Sequence, residues 1–309
     1  MPLDPRVKRF LDILAAGNPP DARTATVEAR RAGLSALMKF GGPPPAVQRV
    51  EERTVTGAVG KLAVRVYSPS DYKDGPGLIY FHGGGLVAGS LDTHDSIART
   101  LANCGAARVI SVGYRLAPEH RFPAALEDAS AAVRYISEHA AEFAIDRHRL
   151  GICGDSAGAT LAAATAQSAA RDGGPMLKLQ LLLCPILDYS RITASKRDFA
   201  NGYLIDQATL DHDLMHYLPA DTDASDPRVS PLLAADLTGQ PLTRIHTAEF
   251  DPLRDEGRSY FERLTQAGND VSYTCHPGMI HLFYGLGAVI PYARAAFEQI
   301  GGEIRAALA

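Results

Sequence analysis

Apolar residues recur at helical spacing over the first forty positions and at strand spacing soon after. Val7, Phe10, Leu11 and Leu14 fall at i, i+3, i+4 and i+7, and Val27, Leu34, Leu37 and Met38 continue a second amphipathic stretch. Gly41-Gly42-Pro43-Pro44-Pro45 stops any helix and marks a boundary. Val47 to Thr56 then alternates, and Leu62, Val64 and Val66 share one face of a strand, so the two segments read as an antiparallel hairpin. From Leu78 onward short apolar runs alternate with helical stretches. The runs are Leu78–Phe81, Arg108–Val112, Leu150–Cys153, Leu179–Cys184, Arg244–Ala248 and Val271–Cys275; the helices are expected near 94–104, 123–141, 157–170, 255–267 and 288–308. That alternation predicts an α/β fold: a mostly parallel central sheet with helices on both faces.

One interval breaks the rhythm. Between Asp188 and Pro231 the chain is polar, Asp-rich and helical in its middle, placed where a cap over the carboxyl edge of the sheet would be inserted. The expected organisation is an N-terminal helical cap segment (1–45), a first part of the core (46–187), a second cap segment (188–230) and a second part of the core (231–309).

At 309 residues, 46% hydrophobic and 21% charged, the chain can bury a core without a metal or a disulfide. Lys+Arg 31 against Asp+Glu 35 leaves a net charge of −4, with no basic excess for nucleic acid or an anionic membrane. The first residues lack the pattern of a signal peptide, and the nearest approach to a bilayer-length apolar run, Leu179 to Leu187, suits a buried strand. Cys104, Cys153, Cys184 and Cys275 are scattered without a CxxC pair, which fits a reduced, cytoplasmic protein.

Candidate chemistry lies at two strand ends. Gly154-Asp155-Ser156-Ala157-Gly158 follows one expected strand and opens a helix, the setting of a G-x-S-x-G nucleophile elbow. Side chains two residues either side of Ser156 would clash in so sharp a turn, which is why glycines stand there. The serine hydroxyl then faces the positive end of the helix dipole. His82-Gly83-Gly84-Gly85 ends the strand Leu78–Phe81, and its successive glycines let backbone N–H groups converge as an anion-binding nest. No Lys-Ser/Thr follows and no GxGxxG is present, so phosphate-loop and dinucleotide readings fail.

These blocks, with YRLAPEHRFPAALEDA (114–129), DPLRDEG (251–257) and HLF (281–283), identify a resemblance to the hormone-sensitive-lipase-like (family IV, GDSAG-type) bacterial carboxylesterases of the α/β-hydrolase fold. It covers the chain from about Val47 to Tyr284. The resemblance implies Ser156 as nucleophile, Asp251 as the acidic member and His281 as the base, with the backbone N–H groups of Gly84, Gly85 and Ala157 as the oxyanion hole. The order Ser, Asp, His is that of α/β hydrolases. The chain departs from the family at Ala159-Thr160, where Gly-Asn is frequent, and at Leu282, where Gly is common; these touch substrate shape rather than chemistry. A serine carboxylesterase acting on short- to medium-chain acyl esters, a small-molecule substrate, is the implied function, with no cofactor. Two alternatives stand beside it: a hydrolase of another acyl bond (thioester or amide), and a ligand-binding protein on the same scaffold. Plant gibberellin receptors resemble the family but have lost the histidine, which this chain keeps.

Ten histidines compete for the base. His276 precedes Pro277 and reads as a surface or structural position, and His82 as a brace of the glycine loop. His212 and His216, at i, i+4, read as a helix surface; Asp213 is too short to replace the glutamate of HExxH and no third ligand is evident, so no metal is expected. Asp255 and Glu256 read as carboxylates favourable to a helix N-terminus. Asp155 is taken as a hydrogen-bonding loop residue, and Arg115, Glu119 and Asp128 as polar scaffolding. Val271–Cys275, the last strand, is expected at a sheet edge where a second copy could pair to make a homodimer.

Overall fold

The computed structural model describes residues 2–17 and 21–309. Its elements, in chain order, are α1 (Pro5–Ala16), α2 (Val27–Met38), β1 (Arg49–Thr56), β2 (Lys61–Ser68), β3 (Gly75–Phe81), α3 (Asp95–Gly105), β4 (Arg108–Val112), α4 (Ala124–Glu138), β5 (Ile145–Asp155), α5 (Ala157–Asp172), β6 (Leu179–Leu183), α6 (Ala194–Asp198), α7 (Gln207–Tyr217), β7 (Leu242–Phe250), α8 (Arg254–Gln266), β8 (Val271–Ile280) and α9 (Tyr292–Ala307). Among the described residues the strands form one eight-stranded sheet in the order β1-β2-β4-β3-β5-β6-β7-β8. The hairpin β1–β2 is antiparallel, β2 joins β4 antiparallel, and every pairing from β4 to β8 is parallel.

The central strands read as unbroken apolar runs because both of their faces are covered. Ile79 and Phe81 of β3 point into a core shared with α4, α5 and α8, while Leu78 and Tyr80 point into a second core shared with α3 and α9. Helices therefore lie on both faces, as expected. The buried residues of α5 are mostly alanine and glycine, which lets the helix approach the sheet closely. A Cβ on Gly158 would lie 2.1 Å from the Phe81 carbonyl oxygen, so only glycine fits.

Two strand ends differ from expectation. β8 runs on through His276-Pro277-Gly278 to Ile280. Proline is tolerated there because β8 is an edge strand, so a missing ladder N–H leaves no partner unmet on that side. β5 begins at Ile145, ahead of the polar Asp146-Arg147-His148, because the exposed outer end of a strand needs no apolar side chains.

The segments flanking the sheet are tied down by specific polar contacts. Asp4 caps α1 by accepting from the N–H groups of Arg6 and Val7, and the Asp4 N–H donates to Gly278 O at 3.1 Å. Arg31 on α2 donates to Val87 O and Ala117 O and pairs with Glu119. Glu256 is fully buried and anchors the 188–230 segment: it accepts from the Leu187 and Asp188 N–H groups at 2.7 and 3.1 Å and pairs with the Lys196 ammonium. Its role is thus a buried tether rather than a dipole-facing surface carboxylate, while Asp255 accepts from the Ser195 N–H at 2.8 Å.

Candidate active site

Ser156 sits between β5 and α5 with φ 52° and ψ −121°, a left-handed conformation that side chains avoid. The turn is held because Ser156 N–H donates to Leu183 O at 2.8 Å, and because Gly154 and Gly158 pass within a distance no Cβ would allow. The strain holds the hydroxyl at the carboxyl edge of the sheet, one residue before α5 begins at Ala157.

His281 follows β8 directly, and Asp251 follows β7. His281 Nδ1 lies 2.9 Å from Asp251 Oδ2, and its Nε2 lies 3.0 Å from Ser156 Oγ. Asp251, fully buried, also accepts from the Leu253 N–H through Oδ1 at 2.8 Å. A carboxylate only accepts, so the Nδ1 proton faces it and Nε2 is left free to accept from the serine hydroxyl. The three side chains that the resemblance named are therefore brought together in one hydrogen-bonded line.

The glycine loop lies beside them. Gly84 and Gly85 have φ values of 120° and 67°, and Gly84 O accepts from Val87 and Ala88. Among the described residues the N–H groups of Gly84, Gly85 and Ala157 have no acceptor within the chain. Behind the loop, Asp155 Oδ1 accepts from Gly83 N–H at 3.0 Å and from the Tyr80 hydroxyl, and His94 Nε2 stands 3.5 Å from its other oxygen. Asp155 thus closes the end of β5 rather than lying in a loop. His82 stacks on Tyr114 with ring centres 4.4 Å apart, while the Tyr114 hydroxyl donates to His82 O at 2.7 Å. Burial, with His94 alongside, pushes His82 down from the ordinary 6.5 to about 3, so it braces the loop as a neutral ring.

Ser156, His281, Gly84 and Gly85 open onto a cavity of about 270 Å3. Leu34 and Leu37 of α2, and Leu204, Ile205 and Leu210 from the 188–230 interval, form much of its apolar wall. Both intervals were singled out in the sequence as cap segments, but which of their side chains line the cavity follows only from the tertiary fold.

Of the two positions open for His276, surface or structural, the structural one holds, and the surface reading of His212 needs correction. His276 is buried and not on the surface: it bonds His246 at 3.1 Å and Tyr292 at 3.2 Å between β7, β8 and α9. His212 is likewise buried, with Nε2 3.0 Å from Ala25 O, so its helix face is packed. Among the described residues the one group of three metal-ligating side chains is Cys184, Asp251 and His281, which shares two members with the site above and includes neither His212 nor His216.

Burial and the neighbouring His246 push His276 down to about 3 as well. The folded state thus holds two neutral histidines that the unfolded chain protonates below about pH 6.5. A depressed folded pKa contributes stability that is present above 6.5 and lost as pH falls toward 3. Each histidine should lower the unfolding free energy by up to about 1.4 kcal/mol per pH unit in that window. Urea midpoints measured from pH 7 to pH 4 should fall, and His276→Gln should make the slope shallower; an unchanged slope in the variant would contradict the assignment.

The profile of the α/β hydrolase fold family matches residues 78–285, more than half of the chain. The chain belongs to the α/β hydrolase family. Within it, this α/β hydrolase is 40% identical over 304 residues to the carboxylesterase NlhH of Mycobacterium tuberculosis, covering 95% of this chain and 92% of that one. It is 36% identical to an ethyl acetate hydrolase of Pseudomonas putida, covering 95% of each. Among solved structures, an ester hydrolase from the metagenome of Lake Arreo superposes with a TM-score of 0.95 at 40% identity and 98% coverage of both chains. The resemblance to hormone-sensitive-lipase-like carboxylesterases is borne out by these relatives.

Proposed function

We propose that this α/β hydrolase is a serine carboxylesterase that cleaves short- to medium-chain acyl esters through an acyl-enzyme intermediate. The observation that carries the reading is the unbroken line Ser156 Oγ–His281 Nε2–Asp251, 3.0 and 2.9 Å, opening onto an apolar cavity. In this mechanism His281 takes the Ser156 proton as the oxygen attacks the ester carbonyl, and Asp251 stabilises the imidazolium. The Gly84, Gly85 and Ala157 N–H groups receive the developing oxyanion, each such donor contributing about 3 kcal/mol to barrier lowering. The imidazolium then protonates the departing alkoxide, and water repeats the sequence to release the acid and restore the serine.

Two intervals form the cap: 1–45 with α1 and α2, and 188–230 with α6 and α7. The support is that both line the cavity, which at about 270 Å3 lies at the small end of ligand pockets. The intact serine, histidine and aspartate favour an enzyme over a binding protein on the same scaffold. Four free cysteines support a reducing, cytoplasmic setting. Among the described residues no helix is long and apolar enough to cross a membrane. The edge position of β8 supports pairing with a second copy along Val271–Cys275.

The test is a p-nitrophenyl ester series from acetate to palmitate. Turnover is expected from acetate to octanoate, with kcat/KM for palmitate lower by at least about tenfold. A folded protein without turnover, or one that prefers palmitate, would overturn the reading.

A further inference from the structure

The cavity wall holds an ion pair that the mechanism above does not use. On α2, Arg30 donates from Nε to Asp213 Oδ1 at 3.1 Å and from Nη2 to Oδ2 at 2.8 Å, a bidentate fork reaching across to α7. Both residues line the same cavity as Ser156 and are shielded, the Arg30 side chain 17% and the Asp213 side chain 6% exposed. His212 completes the surroundings, with Nδ1 3.4 Å from Asp213 Oδ1. Arg31, the next residue, faces away and grips the core through Val87 O, Ala117 O and Glu119.

What Asp213 touches gives the pair its meaning. A Cβ built on Gly85 would lie 1.9 Å from Asp213 Oδ2 and 2.4 Å from Cγ. The carboxylate therefore fills the space that any side chain at position 85 would need, and it backs the glycine in its φ 67° conformation. This contact brings a negative charge against the Cα of Gly85, one bond from an N–H proposed to receive the oxyanion. A bare carboxylate there would oppose the developing charge, and in a shielded site such opposition is strong. The guanidinium, held in a fork that fits the carboxylate plane, removes that opposition while leaving the buttress in place.

We infer that Arg30 and Asp213 are a positioning pair for the oxyanion hole: Asp213 seats Gly85, and Arg30 cancels the field of Asp213 at the oxyanion. Joining α2 to α7 above the loop is then part of assembling the catalytic site and not only of closing the cavity. The inference rests on the esterase reading proposed above.

The experiment compares kcat and KM on p-nitrophenyl butyrate for the parent, Arg30→Gln, Asp213→Asn and the double variant, with thermal melts to establish folding. Arg30→Gln is expected to lose about 30-fold or more in kcat while KM stays within about threefold, because the loss is felt in the charged transition state. Asp213→Asn is expected to cost about three- to fivefold, since the buttress shape survives and the charge is gone. The double variant should be about tenfold faster than Arg30→Gln, because deleting the uncompensated carboxylate relieves the damage. A purely structural clasp predicts instead a raised KM and a double variant no faster than the slower single. Either of those results overturns the inference. Should Arg30→Gln not fold, Asp213→Asn decides alone: kcat within about fivefold of the parent upholds the charge account, and a larger loss overturns it. No turnover by the parent overturns the esterase reading and this inference together, whereas parental turnover with the variants out of order overturns this inference only.

Discussion

Ser156→Ala is expected to lower kcat on p-nitrophenyl butyrate by about a millionfold while leaving the fold intact. The hydroxyl bonds His281 Nε2 at 3.0 Å, and the backbone contacts that hold the turn come from Ser156 N–H and from the neighbouring glycines. Alanine keeps the Cβ, so it bears the same cost at φ 52° as serine does. Removing one oxygen therefore removes the nucleophile without disturbing its support. The residual rate would come from the glycine-loop donors acting on an ester attacked by water. Turnover kinetics and a thermal melt on the same sample check both halves; a folded variant retaining more than about a hundredth of parental kcat would place the nucleophile elsewhere.

Asp251→Asn is expected to cost about ten-thousandfold in kcat with little change in KM. The two carboxylate oxygens have different duties, Oδ1 accepting from Leu253 N–H at 2.8 Å and Oδ2 facing His281 Nδ1 at 2.9 Å. An asparagine would keep its carbonyl oxygen toward the Leu253 N–H and so turn its amide nitrogen to His281. The ring must then accept at Nδ1 and carry its proton on Nε2, where it can no longer take one from Ser156. Size and burial are preserved, so the melt should hardly move. Steady-state kinetics of the folded variant decide the matter, and a loss below about tenfold would remove Asp251 from the line.

The layout of the core was legible because period and punctuation agree along most of the chain. Arg108–Val112 appears as expected, and the alternating strands and helices place both Asp251 and His281 at the sheet edge that holds Ser156. What escaped the sequence depends on partners distant in the chain. Pro277 signals a strand end, yet β8 continues because its outer side has no neighbour. Glu256 reads as a helix-start carboxylate until Lys196 and the Leu187 and Asp188 N–H groups are seen around it. Asp213 lies between two histidines that read as a helix surface, but its bidentate partner is Arg30, 183 positions earlier. The candidate site was readable from local turns and the two cavity-lining intervals from their place in the chain, whereas the individual wall residues were not, since partners distant in the chain decide which side chains face the cavity.

The most direct test of the central claim is reaction with a short-chain alkyl p-nitrophenyl phosphonate, followed by intact-mass and peptide-mapping mass spectrometry. The account predicts one adduct per chain, located on Ser156, with one p-nitrophenolate released and activity lost in proportion. An unmodified Ser156 in an inactivated protein, or an adduct on another residue, would contradict it.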